Sequence, residues 1–184
     1  TYGVIDGSNS LNDRGYSVQQ TTDDGYIITG INNSGSNDSD ILLIKTNSNG
    51  SQEWINFYGG SESDYGYSVQ QTTDGGYIIA GATDTSSIGN REMCLIKTDS
   101  NGNEIWNKIF DGTSYGYSVQ QTTDGGYIIV GSTHSSGTDS NDDLVVIKTD
   151  SNGNEQWNQN FGGNGADAGR SVQQTTDGGY IITG

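Results

Sequence analysis

The stretch that decides the fold is Gly66-Tyr67-Ser68-Val69-Gln70-Gln71-Thr72-Thr73-Asp74-Gly75-Gly76-Tyr77-Ile78-Ile79-Ala80-Gly81, because the chain repeats it. Close copies start at Gly15, Gly116 and Gly169, so the starts lie 51, 50 and 53 residues apart. A second phrase follows the first three copies: Ile44-Lys45-Thr46-Asn47-Ser48-Asn49-Gly50 leading to Trp54, and its counterparts from Ile96 to Trp106 and from Ile147 to Trp157. A repeat of this length belongs to propellers and solenoids.

Within the second unit the pattern predicts four short strands, Tyr67 to Thr72, Tyr77 to Ala82, Met93 to Thr98 and Glu104 to Phe110, with no helical period anywhere. Thr-Asp-Gly-Gly joins the first pair and Asp-Ser-Asn-Gly-Asn the second, where Gly and Asn supply the positive φ of tight hairpins. Tyr77-Ile78-Ile79 and Met93-Cys94-Leu95-Ile96 are apolar at consecutive positions, so both faces of the middle strands should be buried. The polar Ser-Val-Gln-Gln-Thr strand suits an innermost strand lining a wet channel, and the Trp-bearing strand an outer one. The expected fold is therefore all-β, a β-propeller of four-stranded antiparallel blades, incomplete in this chain. Its parts would be 1–14, the end of an outer strand and a loop; blades 15–60, 66–112 and 116–163; and 169–184, the first two strands of a further blade. A portion of a longer repeat protein is the expectation, with a closed four-unit ring or a ring completed by two chains as the alternatives.

These phrases resemble the propeller-type tandem repeats of bacterial and archaeal secreted or surface proteins, and are similar to delta-60-type repeats. The resemblance implies an extracellular or cell-surface propeller and no catalytic residues.

Composition narrows the partners. The 184 residues carry 23 Asp+Glu against 7 Lys+Arg, a formal charge of −16, which opposes nucleic acid and anionic membrane. No apolar run is long enough to insert in a membrane as a helix. His134 stands in a variable loop without a second His, and Cys94 sits among Met93, Leu95 and Ile96 as a small apolar filler. No nucleophile elbow, phosphate loop or His-Glu-x-x-His is present, so neither enzyme nor cofactor is expected, and a quinone-dependent propeller enzyme would need a longer chain. Asp99 to Glu104 and Asp150 to Glu155 open like calcium loops but break that spacing, and read as hairpin turns. Lys45, Lys97 and Lys148 are expected to pair with turn carboxylates at the surface. The paired glutamines, Gln19-Gln20, Gln70-Gln71, Gln120-Gln121 and Gln173-Gln174, should face opposite ways, one set bonding between blades and the other free to ring the channel. Asn32, Asn37 and Asn49 head glycosylation sequons.

The hairpin turns scarcely vary, whereas the connections between second and third strands (Asn32 to Asp40, Thr83 to Glu92, Thr133 to Asp143) and between units diverge. Both sets should emerge on one face, and binding residues favour loops on a rigid frame. Asp64, Tyr65, Asp84, Tyr115, Asp142 and Asp167 are the candidate contacts there, for a protein or a glycan. The expected function is a non-enzymatic scaffold or interaction module. The alternative is a lectin-like propeller with one weak sugar site per repeat, which would need Tyr26, Tyr77, Tyr127, Tyr180 or the tryptophans to lie open in clefts.

Overall fold

The computed structural model describes residues 13–33, 39–85, 91–133 and 142–184. Among them are fourteen strands and no helix. Each unit folds into its own antiparallel sheet in chain order. The first contains β1 (Arg14–Gln20), β2 (Tyr26–Asn33), β3 (Ser39–Thr46) and β4 (Gln52–Tyr58). The second contains β5 (Asp64–Gln71), β6 (Tyr77–Asp84), β7 (Arg91–Thr98) and β8 (Glu104–Phe110). The third contains β9 (Thr113–Gln121), β10 (Tyr127–Thr133), β11 (Leu144–Thr149) and β12 (Glu155–Phe161), and β13 (Ser171–Gln174) pairs with β14 (Tyr180–Thr183).

The fourth strand of the second unit starts and ends where the pattern placed it, while the first begins three residues early, at Asp64. Polar Asp64 and Tyr65 join the ladder opposite Thr83 and Ala82, beyond a register shift between Gly66 and Ser68. A bulge of this kind re-aims the strand end.

Alternation along the middle strands sends neighbours into different cores. Tyr77 and Ile79 pack with Ile27, Leu43 and Tyr58 of the first sheet. Ile78 and Ala80 pack with Tyr127, Ile129 and Val145 of the third. The middle strands are thus buried on both faces, as consecutive apolar residues demand. Each Trp lies against the Tyr of the next unit, with ring centroids 5.8 Å apart for Trp54 and Tyr77, 5.9 Å for Trp106 and Tyr127 and 5.9 Å for Trp157 and Tyr180.

Both turns of every unit are closed by their own side chains. Asp74 Oδ1 accepts from Thr72 Oγ1 and from Gly76 N–H, and the same bonds recur at Asp23 and Asp124. Gly75 and Gly125 supply φ of 84° in this turn; the first unit has Asp24 there, at φ 66°. In the other turn Asp99 Oδ1 accepts from Asn101 and Asn103 N–H while Oδ2 accepts from the Asn103 amide, and Asp150 repeats the set. These carboxylates are engaged by their own hairpin, in keeping with the turn reading. The Asn103 bonds hold the Asp99 carboxyl below the ordinary range.

The lysines differ from the surface pairing the sequence suggested. Lys45, Lys97 and Lys148 are buried, and each Nζ reaches back to the Asp of the first turn, at 2.8, 2.9 and 2.9 Å. Each also donates to the backbone carbonyl of the following Thr. The third strand is thereby tied to the turn between the first two.

The glutamine pairs likewise depart from the expected division of labour, since both members bridge sheets. Gln19, Gln70 and Gln120 Oε1 accept from the N–H of Gln71, Gln121 and Gln174 in the next unit, at 2.6, 2.6 and 2.5 Å. In return Gln71, Gln121 and Gln174 Oε1 accept from the N–H of Thr22, Thr73 and Thr123 in the previous unit, at 2.8, 2.9 and 2.9 Å. Ser17, Ser68 and Ser118 hydroxyls accept a third, longer bond from Val69, Val119 and Val172 N–H. Edge strands leave backbone donors unpaired, and polar side chains from the neighbouring edge satisfy them. The four first strands line a groove of about 320 Å³, with Val18, Val69, Val119 and Val172 and the first Gln of each pair along it.

Candidate functional site

Where the first strands begin, the repeated phrase meets the variable connections and the side chains become individual. β5 carries Tyr65 and Tyr67, β9 carries Tyr115 and Tyr117, and β1 carries Tyr16. Tyr67 is the hub: its ring centroid lies 5.3 Å from Tyr16, 6.2 Å from Tyr65, 6.0 Å from Tyr115 and 5.4 Å from Tyr117. Tyr65 is nearly parallel to Tyr67 and Tyr115 to Tyr117. Burial, reinforced by the neighbouring phenols, pushes the Tyr67 phenol well above its usual range.

Arg91, the first residue of β7, closes this cluster. Its Nε donates to Asp84 Oδ1 at 3.0 Å, one Nη to the Tyr115 phenol oxygen at 2.6 Å and the other to that of Tyr65 at 3.1 Å. The guanidinium carbon stands 4.7 Å from the Tyr65 centroid and 5.6 Å from that of Tyr115. Burial alone would lower the Arg91 pKa; the Tyr115 bond and the surrounding oxygens outweigh it and the group is held firmly cationic. Tyr65, Asp84, Arg91 and Tyr115, at the ends of β5, β6, β7 and β9, thus meet at one end of the sheets.

Of the six expected contact residues, Tyr65, Asp84 and Tyr115 meet on Arg91. Asp64 does not join them: it is 5 % exposed and its carboxylate accepts from Gly60 N–H at 3.0 Å, closing the turn between units. Asp142 and Asp167 lie at the next junction, where Asp167 N–H donates to Asp142 O at 2.6 Å and Asp167 Oδ2 accepts from Gly163 N–H. Arg91 and Tyr67 were missed by the sequence reading. Arg91 is one of only three arginines in an acidic chain, and that scarcity was the available signal. Tyr67 belongs to the repeated phrase and read as an ordinary strand residue.

Other candidates take structural roles. Cys94 is buried and unpaired to any other cysteine, and burial, with the Asp64 charge behind it, pushes its thiol up to about 12. Tyr77 and Tyr127 are buried between sheets, with Trp54 and Trp106 packed on them, so these rings present no open cleft once per repeat. Of the sequon residues Asn32 is buried and Asn49 is exposed on its turn. His134 and Asn37 lie outside the described residues. Among those described, no three His, Cys, Asp or Glu side chains gather as a metal site.

No family model matches the chain, and no curated protein does. Its fold is similar to the crystal structure of a protein of unknown function from Bacteroides caccae, with a TM-score of 0.59 at 12% identity. The match covers 94% of this chain and 53% of that one, so the chain spans about half the length of that structure.

Proposed function

We propose that the chain is a segment of a secreted or cell-surface β-propeller, a non-enzymatic scaffold whose loop face is a contact surface. The propeller reading is supported by successive four-stranded sheets packed face to face with their first strands around one groove. The residue phrases similar to delta-60-type repeats support the extracellular setting, as does the exposed Asn49 sequon.

The observation that carries the reading is the Arg91 cluster. Its residues come from the ends of four strands, β5, β6, β7 and β9, and tyrosine and arginine are among the side chains that most often dominate binding surfaces. Tyr65 and Tyr115 hold equivalent places in two units, whereas Asp84 and Arg91 stand where the first unit has Asn33 and Ser39. A rigid frame that repeats and a surface that differs suit a binding module.

The test compares the protein with a Tyr65→Ala, Tyr115→Ala double variant for adhesion to the surface of cells from its source. The double variant should keep its far-ultraviolet circular dichroism and lose adhesion. Equal adhesion by both proteins would defeat the reading.

A further inference from the structure

The three arginines of the chain, Arg14, Arg91 and Arg170, all stand at the loop end of the sheets. Arg14 pairs with Ile31, the place that Tyr65 and Tyr115 hold opposite Ala82 and Ser132. Arg170 precedes β13 and donates its N–H to Thr183 O, which puts it where Tyr16, Tyr67 and Tyr117 stand in the other units. The lysines are committed elsewhere: three are buried in their turns, and Lys108 Nζ binds Asn154 Oδ1. Among the described residues guanidinium is therefore the cationic group this face presents.

The tyrosines of the repeated phrase form a ladder ending in that group. Tyr16 and Tyr67 are 5.3 Å apart, Tyr67 and Tyr117 5.4 Å, and the Arg170 guanidinium carbon stands 4.1 Å over Tyr117. Tyr16 is 43% exposed and Arg170 is exposed. Sugar rings pack their C–H faces on aromatic rings, and the rungs are spaced about as consecutive rings in an extended glycan are. Guanidinium edges match a carboxylate through two parallel N–H donors.

We infer that this face binds a carboxylated oligosaccharide, a uronic-acid glycan, with one sugar ring on the exposed Tyr16, the next along the part-exposed rims of Tyr67 and Tyr117, and a carboxylate on Arg170. The inference rests on the loop-face reading above and names its ligand class. A chain of charge −16 repels a dense polyanion, so sulfated or phosphorylated polymers fit less well than rings bearing one carboxylate each. Arg91 has its donors on Asp84, Tyr65 and Tyr115, and acts as a positioning residue for the rings.

The experiment titrates the whole chain calorimetrically with oligomers of galacturonate, alginate, hyaluronan and heparosan, each beside its carboxyl-reduced neutral form. At least one acidic oligomer should bind, with its reduced form about tenfold weaker, as expected for one charge-assisted hydrogen bond lost. Arg170→Tyr restores the residue that the other units carry, and should bind acidic and reduced forms alike. Tyr67→Ala should lose both. Binding of no acidic oligomer, equal binding of acidic and reduced forms by the unaltered protein, or an undiminished acidic preference in Arg170→Tyr overturns the inference. If no oligomer binds while adhesion still depends on Tyr65 and Tyr115, the glycan assignment falls and the loop-face reading stands; loss of both removes both.

Discussion

At one end of the sheets the three complete units are nearly superimposable in chemistry. A Thr hydroxyl and a Gly N–H bind the turn Asp, and a buried Lys joins that Asp to the third strand, in every complete unit. At the other end equivalent positions diverge: Arg14, Tyr65 and Tyr115 occupy one place, and Tyr16, Tyr67, Tyr117 and Arg170 another. Lys45, Lys97 and Lys148 need their turns to repeat, because a buried ammonium without its carboxylate and carbonyl partners is costly. Arg91 needs only whatever oxygens its own junction offers. The same strands therefore carry a face under strict geometric demand and a face on which side chains are replaceable.

The sharpest way to break this comparison is to add one methyl group at each end. A Cβ on Gly126 would run into the carbonyl oxygen of Thr149 and lie 2.6 Å from Lys148 Nζ. The Thr149 carbonyl is backbone and cannot swing aside. Gly163, between β12 and β13, has open space where its Cβ would stand. Gly126→Ala should destabilise by about 3 kcal/mol, the upper part of the range for overpacking, and Gly163→Ala by less than about 0.5 kcal/mol. Chemical denaturation of the two variants measures the contrast, and equal losses would erase it.

Legibility in the sequence divides along the same line. The strands of the second unit were readable because Tyr-Ile-Ile and Met-Cys-Leu-Ile report burial on both faces, and the Asn-Gly and Gly-Gly turns report positive φ. Repetition itself carried the packing, since a unit buried on both faces needs neighbours. The early start of β5 was not readable: Asp64 and Tyr65 enter the ladder through a bulge, which leaves no trace in apolar periodicity. Nor was the burial of Lys97, because a lysine beside a polar turn looks solvated until the third strand is laid against the turn of the first two. The site was half readable. Divergence between units pointed to Tyr65, Asp84 and Tyr115, which meet in the structure, but acids and aromatics drew the eye and Arg91, the cation that joins them, did not.

A smaller effect tests whether the lysine holds the repeated end together. Lys97→Met keeps the aliphatic stem and removes the contacts to Asp74 and the Thr98 carbonyl, at 2.9 and 2.8 Å. Asp74 is 59% exposed and recovers water on losing its partner, so the cost should be about 1–2 kcal/mol, well short of that for a fully buried pair. Arg91→Lys at the other end should cost less than half as much. A larger loss from Arg91→Lys, by thermal denaturation, would reverse the assignment of the two ends.

The same pairs should show in acid. Hydrogen bonds from Thr122 and Lys148 hold the Asp124 carboxyl at about 2, against an ordinary 3.8, and the Lys45 and Thr21 bonds depress Asp23 in the same direction. A carboxyl depressed in the folded state contributes fully above its unfolded pKa and loses that contribution as pH falls through the folded one. Stability at the turn end should therefore decline between about pH 4 and pH 2. Lys97→Met should shallow that decline; an unchanged acid slope in the variant would show that the ion pairs do not govern it.

The smallest effect comes from the one irregularity at the repeated end. Gly75, Gly125 and Gly178 occupy the third turn position with φ of 84°, 84° and 87°, whereas the first unit places Asp24 there at φ 66°. An L side chain is strained in this region, although Asp tolerates it better than most residues. The Asp24 side chain is exposed, and the turn bonds are made by its neighbour Asp23, so glycine removes strain without removing a partner. Part of that gain returns as backbone entropy, because glycine is freer in the unfolded chain. Asp24→Gly should therefore stabilise by up to about 1 kcal/mol and bring the first turn to the geometry of the other three. A loss of stability would mean that Asp24 makes a contribution of its own, and that uniformity at this end rests on the Asp–Lys pairs alone, with no demand from the backbone for glycine.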